Sequence, residues 1–128
     1  MEATVINNAD LHFEHEQWRM ELAFWKDELK TFNHRLEELV NRWTDKSVLS
    51  ELDKFQNNFI RHGEVIDELQ HEINVHETNM SNHDAKHEDV LDTAHVKNHI
   101  QLRERMETQR HIYGELKKDF FRFLSKYM

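Results

Sequence analysis

The chain has 128 residues, 38% hydrophobic and 33% charged, with no proline, two glycines, no cysteine and a formal charge of −8. The missing cysteines exclude disulfides, thiolate metal sites and cysteine nucleophiles. The negative balance argues against a nucleic-acid binder, which needs a basic face. With both chain breakers scarce and Glu, Lys, Leu and His abundant, the composition predicts long uninterrupted helices.

Residues 1–8 read as a tail. "MEATVINNADLHF" has no basic start, and its only apolar pair is Val5-Ile6, so it does not resemble a signal peptide. No stretch has the length and apolarity of a membrane span. A cytoplasmic address is the default expectation.

From Leu11 the apolar residues fall at alternating steps of four and three: Leu11, Trp18, Leu22, Trp25, Leu29, Phe32, Leu36, Leu39 and Trp43, with His15 the one polar member. This seven-residue repeat predicts a first helix over about 9–43, packed against partners in coiled-coil fashion. "WTDKSVL" breaks the register, with Thr44 as the expected N-cap and Asp45 in the first turn of the next helix. A second stripe follows: Val48, Leu52, Phe55, Phe59, His62, Ile66, Leu69, Ile73, His76 and Met80. It predicts a helix over about 45–79. Asn79, Ser81, Asn82 and Asp84 then cluster, and each prefers turns and caps to helix interiors. A turn is expected there. The third stripe, read back from Tyr127 through Phe123, Phe120, Leu116, Tyr113, Gln109, Met106, Leu102 and His99 to His95, predicts a helix over about 84–127. Short connections make neighbouring helices antiparallel, so the expected fold is all-α, an elongated antiparallel three-helix bundle forming a single domain.

Two features suggest self-association. Phe13, Met20 and Phe24 lie off the main stripe of the first helix and form a second apolar strip. The third helix, longer than the second, should overhang the first turn by about 12 Å. That overhang, "FFRFLSKYM", carries Phe120, Phe121, Phe123, Leu124 and Tyr127. These aromatics either fold over the bundle end at Trp43 or pack on another copy, and the second is preferred, giving a symmetric homo-oligomer. Charge agrees in outline: residues 1–82 carry 17 acids and 8 bases, and residues 100–128 carry 4 acids and 7 bases. The acidic outer face of Glu64, Glu68 and Glu72 could receive the basic third helix of a neighbour. A lipid-surface role for "LKKDFFRFLSKYM" is disfavoured by the acidity of the remainder.

Eleven histidines stand out. His15, His62, His76, His95 and His99 occupy stripe positions. The hairpin spacing that pairs Trp43 with Val48 also pairs His15 with His76. A turn between Met80 and Asp84 would put His76 opposite Glu88, next to His87. His15, His76 and His87, with His83 nearby, are therefore the expected convergence near the second turn. Three imidazoles with water, or with Glu14, Glu72 or Asp84, would suit Zn²⁺, Cu²⁺ or Ni²⁺. The alternative is a polar layer that sets register with no metal. The carboxylate–histidine spacings of hemerythrin-like and ferritin-like bundles are absent: Ile66 stands four residues after His62, and His71 of Glu68-x-x-His71 lies off the stripe. Gly63, beside His62, is expected to allow close helix approach. No phosphate-cradling loop or nucleophilic triad is present. The sequence thus points to a non-enzymatic helical interaction or scaffold protein that self-associates without a cofactor, and in second place to a small metal-binding or metal-responsive bundle.

Overall fold

The computed structural model describes residues 8–85 and 93–127. They form three helices, α1 (Asn8–Arg42), α2 (Lys46–Ala85) and α3 (Thr93–Tyr127), in an all-α bundle. Each helix turns its stripe inward. Leu22, Leu39, Ile66, Ile73, Met106 and Phe120 are all at most 1% exposed. Burial of such side chains contributes roughly 1.5–3 kcal/mol each. The stripe, more than helix propensity, holds the bundle together. Among the described residues, no helix is long and apolar enough to cross a membrane.

The first turn is tight. The Trp43 amide still donates to the Leu39 carbonyl, and the Leu49 amide donates to Asp45. Asp45, not Thr44, caps α2: its Oδ1 accepts from the Ser47 amide at 2.8 Å and from the Ser47 hydroxyl at 2.7 Å. A carboxylate just ahead of the helix satisfies an orphan amide and suits the positive end of the dipole.

The second hairpin departs from expectation. α2 runs on through Asn79, Ser81, Asn82 and Asp84 to Ala85, so the cap-forming residues lie inside a helix. The fold-back point moves toward the C-terminus, and the partners on α3 change with it. Arg105 pairs with Glu72 and Glu68, and Gln109 reaches His62. Glu68 and Glu72 of the acidic α2 face are therefore partnered within the chain. His87 falls outside the described residues, and of His83 only the helical backbone is described.

The same shift removes the overhang. Phe120 and Phe123 are buried, Leu124 and Tyr127 pack against the core, and Phe120 meets Phe59 edge-on at 5.0 Å. Tyr127 stands edge-on to Trp43 at 5.4 Å, and the Trp43 indole N–H donates to the Tyr127 carbonyl at 3.2 Å. An indole just past the end of α1 thus caps a terminal carbonyl of α3 that lacks an intrahelical partner. These four residues close their own bundle end. Of the two expected arrangements, the structure shows the fold over the bundle end at Trp43. Phe121 alone of the terminal aromatics remains well exposed, at 47%.

Charged side chains at seven-residue spacing flank the core. Glu14, Glu21 and Glu28 of α1 pair with Arg103, Arg110 and Lys117 of α3. The Arg110–Glu21 pair is two-pronged, with both contacts at 2.7 Å. This ladder runs α1 and α3 parallel and in one register. On the other side of α1, Arg19 reaches Asn74 and Lys26 reaches Asp67 of antiparallel α2.

Candidate metal centre

The register set by the ladder brings one histidine from each helix to the same height: His15 from α1, His76 from α2 and His99 from α3. All three are buried. Ring centroids are 5.1 Å apart for His15–His76, 5.0 Å for His15–His99 and 5.6 Å for His76–His99. One nitrogen of each lies within 4.8 Å of the others. A tetrahedral Zn²⁺ with Zn–N bonds of about 2.0–2.1 Å sets its ligand nitrogens about 3.3 Å apart. His15 Nε2 and His99 Nδ1 are already 3.1 Å apart, and a small inward shift of His76 completes the triangle.

Carboxylates hold the outer nitrogens. His15 Nδ1 donates to Glu77 at 2.7 Å, and Glu77 also accepts from His12 Nδ1 at 2.6 Å. His99 Nε2 donates to Glu14 at 2.5 Å, and Arg103 grips the same carboxylate with two contacts, at 2.9 and 2.8 Å. Burial raises the Glu14 carboxyl, but the hydrogen bonds from Arg103 and His99 outweigh it and hold it below its ordinary value. Burial likewise raises Glu77, and the hydrogen bonds from His15 and His12 outweigh it. Both carboxylates are therefore ionised and accept only.

This fixes the tautomers. A neutral imidazole carries one N–H. When both rings are neutral, His15 uses its proton on Glu77 and His99 uses its proton on Glu14, and the nitrogens that face each other at 3.1 Å present lone pairs. Burial also pushes the pKa of His15 and of His99 down, against the pull of their carboxylates. His76 completes the pattern. Its Nε2 is buried without a hydrogen-bond partner, and burial, with His15, His99 and His95 nearby, pushes its pKa down to about 4. One nitrogen from each of three buried imidazoles thus converges within 4.8 Å of the others. Such an arrangement accepts a cation, and ionised carboxylates behind two of the imidazoles are the partners that orient metal-ligating histidines.

His62 offers the contrast within the same core. Its Nδ1 accepts from the Gln109 amide at 2.6 Å, whereas the buried Nε2 of His76 has no hydrogen-bond partner. A groove of about 420 Å³ between α2 and α3 reaches His76 past Glu72, Asn79, Asn98 and Arg105, giving a route in from solvent.

Of the expected ligands, His15 and His76 meet as the first hairpin predicted. His99 stands where His87 was expected, because the second hairpin folds back later. Glu14 supports the site from behind His99, and Glu72 is taken by Arg105. The side chain of Asp84 lies outside the described residues. The sequence does carry a signal for His99. Aligning Glu14, Glu21 and Glu28 with Arg103, Arg110 and Lys117 sets the α1–α3 register and brings His15 beside His99. Of the expected apolar strip, Phe13, Met20 and Phe24 are 65%, 65% and 59% exposed. Gly63 does not serve close approach, since nothing lies within 4 Å of where its Cβ would be.

Comparison with known protein families, curated proteins and solved structures finds no match for the chain.

Proposed function

We propose that the protein is a non-enzymatic helical bundle that binds one divalent transition-metal ion at His15, His76 and His99. One observation carries this reading: one nitrogen from each of three buried histidines converges within 4.8 Å, while ionised carboxylates hold the far nitrogens of two of them. Imidazole donors suit Zn²⁺, Cu²⁺ and Ni²⁺ and not the hard oxygen-seeking ions. Glu14 and Glu77 offset the charge that the ion brings into the core. The test is titration of the metal-free chain with Zn²⁺ while following thermal unfolding. An ion that binds only the folded state, at a hundred times its Kd, stabilises by about 2.7 kcal/mol. His99→Ala should abolish the Zn²⁺-dependent rise in Tm, and no rise in the wild type would end the reading.

A second reading rests on α1. Phe13, Met20 and Phe24 form an apolar strip facing solvent, which suits a scaffold that pairs with a second copy of itself. Native mass spectrometry tests it. An oligomer that Met20→Lys with Phe24→Glu converts to monomer supports it, and a wild-type monomer at high concentration removes it.

A further inference from the structure

A four-coordinate ion in the histidine layer needs one ligand beyond His15, His76 and His99, and that ligand must come from above or below the layer. Toward the aromatic end the layer is closed. Trp18 stacks on His99 at 4.9 Å and lies 5.5 Å from His15. Behind it Ile73 and Leu102 are buried, so the described residues that back the layer on that side are apolar. On the other side Leu11 and Met80 are 0% exposed, with Val96 packed on them. The Met80 thioether is a poor ligand for the borderline divalent ions that imidazoles select. His95 is a nitrogen donor on that side. Its ring stands edge-on to His76 at 6.2 Å. It precedes His99 by four residues on one helix, the spacing at which two side chains share a face and can hold one ion.

We propose that His95 is the fourth ligand, closing a four-imidazole site built from His15, His76, His95 and His99. This rests on the reading that the layer binds metal. Ligation turns the His95 ring inward from its present position. Two consequences follow. The ion keeps no open position for water, so the site is structural or regulatory and not hydrolytic. Two of the four ligands also come from the first two turns of α3, which begins at Thr93. The ion therefore fastens the start of α3 to α1 and α2, and metal availability controls how firmly that end is held.

The probe is Co²⁺ added to the full metal-free chain, with visible absorption reporting coordination number. The wild type should show the intense bands of a four-coordinate ion. His95→Ala, and His95→Gln as the variant that preserves side-chain bulk, should give the weak bands of a higher-coordinate, water-bearing ion. Their affinity should fall by about tenfold or more, with metal-free helicity by circular dichroism unchanged. Exchange of the amides of residues 93–99 should slow on metal addition in the wild type and less in the variants. If both variants match the wild type in spectrum and affinity, His95 is not a ligand, while the three-histidine reading stands. If the wild type binds no Co²⁺, both fall together.

Discussion

A buried imidazole nitrogen is tolerated where it has a partner, and two histidines of this core differ in that respect. His62 has Gln109. His76 leaves Nε2 bare, which in the metal-free chain costs stability that an ion would recover. His76→Leu should therefore be neutral or stabilising by about 1 kcal/mol without metal, and should lose the stabilisation by Zn²⁺, as paired thermal melts would read. Acid sets a second test. His76 has a folded pKa of about 4 against 6.5 for the ordinary group. The unfolded chain then binds the proton first, so stability is intact above pH 6.5 and falls as pH drops toward 4. The loss from this group is on the order of 3 kcal/mol. The carboxylates act with the same sign at lower pH, because Glu14 and Glu77 also titrate below their ordinary values in the fold. Urea unfolding of metal-free protein at a series of pH values measures the slope. Gly63 makes a smaller point. With open space where a Cβ would go, Gly63→Ala should stabilise by about 1 kcal/mol, the helix-propensity difference alone, in the same assay.

At the scale of elements, the apolar stripes said that there are three helices and which face of each is buried. They did not say which helix lies on which side of α1. That choice is made by the flanking charges. Acids at Glu14, Glu21 and Glu28 meet the bases of α3, and on the other flank Arg19 and Lys26 meet polar and acidic groups of α2. The mirror arrangement would bring Arg19 and Lys26 against Arg103, Arg110 and Lys117. The ladder is partly exposed, so each pair contributes about 0.2–1 kcal/mol. Glu21→Arg should destabilise by about 1 kcal/mol, and adding Arg110→Glu should restore most of it, as a double-mutant cycle in urea would show. Connections were legible in proportion to their sharpness. The first turn breaks the heptad abruptly, so His15 and His76 could be paired from spacing alone. The second was misplaced because Asn79, Ser81, Asn82 and Asp84, which favour caps, are carried within α2 all the same. Tertiary context overrode local preference there, and the displaced register exchanged His87 for His99.

For the whole molecule, the fold class was readable because a stripe at mean period 3.5 admits few architectures, but the ends were not. Length alone suggested an aromatic overhang, while the true register brings Tyr127 level with Trp43 and turns Phe120 and Phe123 inward. Phe120→Ala should accordingly cost about 3–5 kcal/mol in chemical denaturation with no dependence on protein concentration, the mark of a core residue and not an interface. The bundle thus has an apolar, self-sealed end and a histidine end that the proposed cation would complete. Trp18 sits at the inner boundary of that second end, its indole stacked on the His99 ring. It is therefore a built-in fluorophore in contact with the histidine layer, while Trp25 lies about two turns farther along α1 and Trp43 just past its end. Cu²⁺ or Ni²⁺, with partly filled d shells, would extinguish the Trp18 emission and spare Trp43. Closed-shell Zn²⁺ would leave it bright, so the unlabelled protein distinguishes its own candidate ions by light.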